Sequence, residues 1–84
     1  MERTEVYKVI DTERDYQDKL AKAGKFKDVV HTPGEEILMI SEYADRAKKI
    51  WTDNNGDEAG LQVVRKIAGM CVRCMENHGA SPRE

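Results

Sequence analysis

The stretch that decides the fold covers residues 32–51 and reads TPGEEILMISEYADRAKKIW. Thr32 can cap the start of a helix, Pro33 suits the first helical position, and Glu35 completes a Thr-x-x-Glu capping box. Apolar residues follow at the three- and four-residue spacing of a single helix face. This stretch therefore predicts a helix that begins at Thr32 and ends near Trp51.

Two more helices are predicted on either side of this one. The first covers about residues 3–23 and stops near Gly24, and the third covers about residues 57–79, after a turn-rich segment at 53–56. No segment alternates between apolar and polar residues with the period of two that marks a strand. We therefore expect an all-α fold in which one domain, residues 1–84, contains three antiparallel helices.

Size and charge narrow the classes of function. The chain has 84 residues, of which 36% are charged, and a net charge of -2. This composition is typical of a small soluble domain and gives no bulk attraction to nucleic acid polymers or to anionic membranes. The longest apolar run, residues 37–40, is too short to span a bilayer, and the charged N-terminus lacks the apolar segment of a signal peptide. We predict a cytoplasmic protein.

The third predicted helix is apolar over more than half of its circumference. The residues on this wide face are Leu61, Val63, Val64, Ile67, Ala68, Met70, Cys71, Val72, Cys74 and Met75. A monomer of three helices leaves the outer side of each helix in water. The wide face therefore predicts burial on two sides and a homo-oligomer, either a dimer or a tetramer, built as a helical bundle. The alternative is a monomer in which the connection around Phe26 and residues 29–30 covers the excess.

Polar residues interrupt the apolar faces of the first two predicted helices. Glu13 and Gln17 lie within the face of the first helix, and Glu36 lies within the face of the second. Because a buried polar group is unfavourable unless it is paired, the pattern predicts a polar pocket between these helices. Such a pocket can hold Mg²⁺ or Mn²⁺, or accept hydrogen bonds from a base or ribose. The alternative is a structural network that pairs these residues with Arg14, Arg65 or Lys66.

Two further features concern phosphate and thiol chemistry. His31 precedes a helix start, where free N–H groups attract anions, and Arg65 carries the planar fork that suits phosphate. The alternatives are a plain helix cap with an exposed histidine, and a salt-bridged arginine. Cys71 and Cys74 form a C-x-x-C late in the third helix, where the negative helix end disfavours a thiolate. We therefore interpret them as core cysteines.

Five segments together resemble a known family. They are residues 12–17 (TERDYQ), 31–38 (HTPGEEIL), 42–47 (EYADRA), 65–68 (RKIA) and 74–80 (CMENHGA). They are similar to segments of a group of small proteins, encoded mostly by bacteriophages, that are described as MazG-like because they resemble all-α nucleoside triphosphate pyrophosphohydrolases. The resemblance covers about residues 9–83 and implies an all-α fold and a nucleotide ligand.

The metal motif of that enzyme family is incomplete here. The family holds Mg²⁺ with E-E-x-x-E on one helix and E-x-x-D on the next, and a metal-activated water hydrolyses the nucleotide between its phosphates. Glu35 and Glu36 match the first motif, but Met39 occupies its third acidic position. Residues 42–45 have the letters E-x-x-D on that same helix, and the third helix carries residues 65–68 where the second motif is expected. A single chain therefore does not assemble the metal site, although a second subunit can supply carboxylates.

The resemblance, combined with this loss, implies nucleotide binding without hydrolysis. Some small phage proteins act as sponges that sequester the cyclic or modified nucleotides with which bacteria signal infection, and this chain is similar to them in size and character. We therefore expect an anti-defence viral protein of the host bacterial cytoplasm that needs no cofactor and does not hydrolyse the nucleotide. The expected ligand contacts are Glu13, Gln17 and Glu36 to base or ribose, Arg14, His31, Arg65 and Lys66 to phosphate, and Tyr43 or Tyr16 stacked on a base.

Two alternative functions stay open. The first is a Mg²⁺-dependent nucleoside triphosphate pyrophosphohydrolase of the MazG-like type, in which Glu13, Glu35 and Glu36 bind the metal and a neighbouring subunit completes the site. The second is a protein–protein interaction module that uses the wide apolar face of the third helix as its partner surface.

Overall fold

Three α-helices and one π-helical turn make up the computed structural model, which describes residues 1–24 and 29–84 apart from the side chain of Asn54. The helices are α1 (Arg3–Lys22), α2 (Pro33–Ile50) and α3 (Gly56–His78), and the π-helical turn, Trp51–Asn55, joins α2 to α3. The described residues form no strand. The predicted all-α fold with three helices is confirmed, and each predicted helix ends close to the observed boundary.

The start of α2 has the predicted capping box. The Thr32 hydroxyl accepts a hydrogen bond from the backbone N–H of Glu35 at 3.2 Å, and the Thr32 N–H donates to the Glu35 carboxylate at 2.9 Å. The hydrogen bond from the Thr32 backbone is the main cause that lowers the pKa of Glu35. Pro33 occupies the first position of α2, where a missing N–H costs nothing. Local chemistry therefore fixes where α2 begins, and with it the position of Glu36.

Contacts at both ends hold α2 and α3 side by side in opposite directions. At one end the indole N–H of Trp51 donates to the Asp57 carboxylate at 2.7 Å, and Gly56 adopts a left-handed backbone conformation with a φ of 87°. At the other end Nε2 of His78 lies 2.7 Å from the carbonyl oxygen of His31. The last turn of α3 therefore lies beside the first turn of α2.

The central helix of the described structure is α3. It contacts both α1 and α2, whereas no Cα atom of α1 lies within 8 Å of one in α2. The N-terminal part of α1 shares a groove with the N-terminal part of α3, through residues such as Val6, Val9 and Leu61. This arrangement leaves an open cleft between α1 and α2, and α3 forms the floor of that cleft.

Polar side chains occupy the most enclosed positions of the single chain. Glu13, Arg14, Gln17 and Glu36 are each less than a tenth exposed, and no hydrophobic residue among those described is buried to this extent. Leu61, which the sequence places on an inward face of α3, is 63% exposed. The apolar stripes of the sequence therefore form a surface in one copy of the chain rather than a closed core.

Exposed hydrophobic residues occur on all three helices. The large ones are Met1, Val6, Tyr7, Val9, Tyr16, Val29, Val30, Ile37, Leu38, Met39, Trp51, Leu61, Val64 and Met75. Those that line the groove between α1 and α3, namely Met1, Val6, Val9, Leu61 and Val64, lie together in an apolar patch of the kind that marks an interaction surface. The monomeric alternative relied on Phe26, which lies outside the described residues, and on Val29 and Val30, which are themselves exposed. None of the described helices combines the length and the apolar character needed to cross a bilayer.

Candidate functional site

The closest approach of α1 to α3 occurs at a glycine. A Cβ atom added to Gly69 would lie 2.8 Å from Nε2 of Gln17 and 2.8 Å from Cγ of Glu13. Because both distances are shorter than a van der Waals contact, only a residue without a side chain fits there unless its neighbours move. Gly69 therefore lets a carboxylate and an amide of α1 lie against the backbone of α3.

Hydrogen bonds satisfy both of these α1 side chains. Nε2 of Gln17 donates to Oε2 of Glu13 at 3.2 Å and to the carbonyl oxygen of Lys66 at 3.3 Å. The other oxygen of Glu13 accepts a hydrogen bond from Nε of Arg65 at 3.0 Å. Glu13 is thus paired with an arginine of α3. This pairing matches the alternative prediction, a structural network rather than a ligand site.

Arg14 extends this network toward the end of α3. Nη2 of Arg14 donates to Glu76 at 3.1 Å and to Asp18 at 3.2 Å, and Nε donates to the second oxygen of Glu76. The hydrogen bond from Arg14 is the main cause that lowers the pKa of Glu76, and the same bond raises the pKa of Arg14. We call the connected residues the polar cluster: Glu13, Arg14, Gln17, Asp18, Arg65 and Glu76.

The cleft between α1 and α2 has a volume of about 390 Å³. This volume lies within the range of about 300–1,000 Å³ that is typical of small-molecule sites. The residues that line it come from all three helices and from the segment before α2: Gln17, Leu20, His31, Glu36, Met39, Tyr43, Lys66, Met70 and Arg73. Apolar walls combined with a few polar and charged groups are the usual composition of a ligand site.

Among the described residues, Glu36 is the most enclosed of the buried polar side chains. It is 4% exposed, and its carboxylate makes no hydrogen bond or ion pair with the residues that the structure describes. No fully enclosed side-chain oxygen in the described structure lacks a partner, so the unpaired oxygens of Glu36 must reach the space of the cleft. The N-terminal end of α2 favours a negative charge at this position. Glu36 therefore presents hydrogen-bond acceptors to whatever occupies the cleft.

Positive charge and an aromatic ring meet about two helical turns along α2 from Glu36, at Tyr43. The Lys66 ammonium is 4.8 Å from the centroid of the Tyr43 ring, and the Arg46 guanidinium is 4.4 Å from it. Both distances fall within the range of about 6 Å for cation–π contacts. Tyr43 and Lys66 line the cleft, whereas Arg46 does not. The lining of the cleft thus combines an acceptor at Glu36 with a cation beside an aromatic ring at Lys66 and Tyr43, and Arg73 of α3 adds a second cation.

The structure divides the predicted ligand residues into two groups. Those that line the cleft are Gln17, His31, Glu36, Tyr43 and Lys66. Those that contact protein partners in the polar cluster instead are Glu13, Arg14 and Arg65. Tyr16, the second predicted stacking residue, is 56% exposed and does not line the cleft. A cleft thus lies where the pocket is predicted, and of the four predicted phosphate ligands His31 and Lys66 line it, whereas Arg14 and Arg65 do not.

Sequence reasoning missed four residues of the cleft, namely Leu20, Met39, Met70 and Arg73. A signal for two of them was present, because Met70 and Arg73 follow Lys66 at intervals of four and seven residues and therefore share its helix face. The ion pair between Arg14 and Glu76 was also missed. Its partners are separated by 62 positions, and no local pattern links them.

The carboxylates required by the hydrolase alternative do not converge in one chain. Glu13 accepts from Arg65, Glu35 accepts from Thr32, and only Glu36 faces the cleft. Within residues 1–24 and 29–84, no three acidic, histidine or cysteine side chains lie close enough together to hold a metal ion.

The cysteines are half-buried free thiols, so the interpretation as core cysteines stays a prediction. Cys71 and Cys74 form no disulfide, and burial raises the pKa of the Cys71 thiol. A raised pKa disfavours the thiolate, which is the reactive form of a redox or nucleophilic cysteine.

Comparison of the chain with protein-family models, with curated proteins and with solved structures gave no match. The resemblance to MazG-like proteins therefore stays a prediction from the sequence, and the chemistry of the cleft is the firmer basis for a function.

Proposed function

We propose that the chain binds a small nucleotide in the cleft between α1 and α2 and sequesters it without hydrolysis. The observation that carries this proposal is the unpaired carboxylate of Glu36, which is 4% exposed and faces the cleft. An enclosed carboxylate is costly unless N–H or O–H donors reach it, and a base or a ribose supplies such donors. Lys66, which lies 4.8 Å from the centroid of the Tyr43 ring, suits a phosphate about two helical turns along α2 from Glu36.

Sequestration is favoured over catalysis by the arrangement of acidic groups. Of the three carboxylates that the hydrolase alternative requires, Glu13 is bonded within the polar cluster and Glu35 within the capping box. Only the carboxylate of Glu36 is therefore available to a ligand. The resemblance to small phage proteins extends the proposal to a cyclic or modified signalling nucleotide in the cytoplasm of an infected bacterium. Such a sponge works by stoichiometric capture, and bound ligand stabilises the folded state in proportion to the logarithm of its concentration.

We also propose that the chain is a homo-oligomer, either a dimer or a tetramer. A groove of about 420 Å³ between α1 and α3 is lined mainly by apolar residues, including Val6, Val9, Leu61 and Val64. In one copy, no described hydrophobic residue is as fully buried as Glu36 or Gln17. Because so small a core stabilises a fold weakly, we infer that the folded chain is permanently associated with a partner. A second copy of the chain meets this requirement. The same surface supports the interaction-module alternative only if the bound partner is a different protein.

The test combines native purification with a nucleotide panel. We expect a cyclic or modified nucleotide to raise the melting temperature and to be recovered intact after heat denaturation, as identified by mass spectrometry. The Lys66→Ala variant should bind it about tenfold or more weakly, because a hydrogen bond to a charged group is lost. The matched control is Lys48→Ala, which removes an exposed lysine of α2 that does not line the cleft.

The same samples separate the alternatives. Incubation with Mg²⁺ followed by chromatography should show depletion of nucleotide and no product. Turnover beyond one equivalent per chain would establish the hydrolase. The absence of stabilisation by every mononucleotide and cyclic dinucleotide tested would refute nucleotide binding and leave the interaction module.

A further inference from the structure

We infer that Glu36 makes the cleft selective for guanine among the nucleobases. This inference rests on the proposed function, because it assigns a base to the nucleotide proposed above. Both conclusions depend on the enclosed carboxylate of Glu36, but base selection depends on its hydrogen-bonding pattern. An ionised carboxylate has two acceptor oxygens and no donor, so it selects a ligand by the pattern of donors on the edge that it meets.

Only guanine presents two neighbouring donors on its pairing edge. Its N1–H and its 2-amino group point in the same direction, and each oxygen of Glu36 can accept from one of them. Adenine and cytosine place an acceptor nitrogen beside a single amino group, and that lone pair would face a carboxylate oxygen. Uracil has one N–H between two carbonyl oxygens. An acceptor-only partner therefore favours guanine over the other three bases.

The geometry of the cleft suits a base that enters edge first. Because Glu36 is 4% exposed, a ligand can reach its carboxylate only from within the cleft. Met39 and Met70 line the cleft together with Glu36, and thioethers pack well against flat rings. Glu36 and Tyr43 are two helical turns apart on α2, which corresponds to about 10 Å along the axis. A guanine edge at Glu36 therefore leaves the length of a ribose before a phosphate near Lys66.

Guanosine, inosine and adenosine monophosphates test the inference on the unmodified protein. Inosine lacks the 2-amino donor, and adenosine replaces N1–H with an acceptor. By calorimetric titration we expect the guanine nucleotide to bind tightest, the inosine nucleotide about tenfold more weakly and the adenine nucleotide about 100-fold more weakly. These measurements need no variant, so they hold even if a substitution at position 36 disturbs folding.

The Glu36→Gln variant should change the preference between guanine and adenine. A loss of structure would instead weaken the binding of both bases. A glutamine amide offers one donor and one acceptor, which complements adenine rather than guanine. We expect the preference for guanine over adenine to fall to about one or to reverse, by about 100-fold relative to the unmodified protein. The matched control Asp45→Asn changes an exposed carboxylate on the same helix and should keep the preference.

The outcomes separate this inference from the proposed function. Equal binding of guanine and adenine nucleotides would overturn base selection and leave nucleotide binding intact. Equal binding together with a loss for the 2′-deoxy forms would assign Glu36 to the ribose instead. The failure of guanosine, adenosine, cytidine and uridine monophosphates and of cyclic dinucleotides to bind would overturn both conclusions.

Discussion

Glu13 and Glu36 are both nearly enclosed, yet their carboxylates meet different surroundings. Glu13 accepts hydrogen bonds from Gln17 and Arg65, so its charge is compensated within the fold. Glu36 has no such partner among the described residues and faces the cleft. A buried charge that is paired contributes to structure, whereas an unpaired one beside a cavity is a candidate for ligand recognition. This contrast distinguishes the two roles more clearly than burial alone.

The pairing of Glu76 with Arg14 predicts a specific dependence of stability on pH. The hydrogen bond from Arg14 holds the pKa of Glu76 below its ordinary value of 4.5, so folding favours the ionised carboxylate. The resulting stabilisation is fully present above pH 4.5 and is lost as the pH falls through the lower pKa of the folded state. Because the Glu76 side chain is 50% exposed, we expect Glu76→Gln to cost about 1 kcal/mol or less at neutral pH.

Urea denaturation at a series of pH values measures this effect. The difference in unfolding free energy between the unmodified chain and Glu76→Gln should shrink as the pH falls below 4.5. A Glu42→Gln control changes a carboxylate that forms no ion pair in the described structure, and it should give no such convergence. A difference that stays constant with pH would show that the Arg14 contact does not stabilise the fold through the charge of Glu76.

At the scale of the helices, the packing of α1 on α3 depends on the absence of a side chain at Gly69. Replacement by alanine would place a methyl group 2.8 Å from both Gln17 and Glu13, and both side chains are held by hydrogen bonds. Overpacking of this kind typically costs about 1–3 kcal/mol. We therefore expect Gly69→Ala to lower the stability of the chain and to disturb the wall of the cleft that Gln17 forms.

Gly60 offers the matched control for this prediction. It lies in the same helix, and a Cβ atom there would meet nothing within 4 Å. Gly60→Ala should raise the free energy of unfolding by about 0.5–1 kcal/mol, because alanine favours the helical backbone. Thermal denaturation of the two variants gives the comparison. Equal stability would mean that α1 does not pack on α3 at Gly69 as described.

The sequence allowed the helices to be predicted because their limits depend on neighbouring residues. The capping box at Thr32 is a local signal, and the structure contains it. Helical periodicity also placed Glu13, Gln17 and Glu36 on inward faces correctly, since all three are buried. It could not show which of them opens on the cleft, because that depends on where α1 meets α3. That meeting point is set by Gly69 and by pairs distant in sequence, such as Arg14 with Glu76.

At the scale of the whole molecule, the absence of buried hydrophobic residues among those described makes self-association the central prediction. We expect sedimentation and light scattering to give a dimer or a tetramer. We also expect a melting temperature that rises with protein concentration, because association is then part of the folding equilibrium. Leu61→Glu places a charge in the apolar groove between α1 and α3 and should shift the protein toward monomer or unfolded chain.

Asn77→Glu is the control for that substitution, because it adds the same charge at an exposed polar position of α3. It should leave both the mass and the concentration dependence unchanged. A monomer at every concentration, with a constant melting temperature, would contradict the proposed oligomer and would require another cover for the apolar surface.

Within the described residues, no Cα atom of α1 lies within 8 Å of one in α2, so the backbones of these two helices are held at their spacing by packing on α3. A molecule that touches Gln17 or Leu20 on one wall and Glu36 or Tyr43 on the other would bridge the two helices. Such a molecule would connect α1 to α2, each of which packs on α3. It would therefore support the arrangement of the three helices as well as being a ligand. A bound molecule of this kind would add contacts between α1 and α2, and its release would remove them.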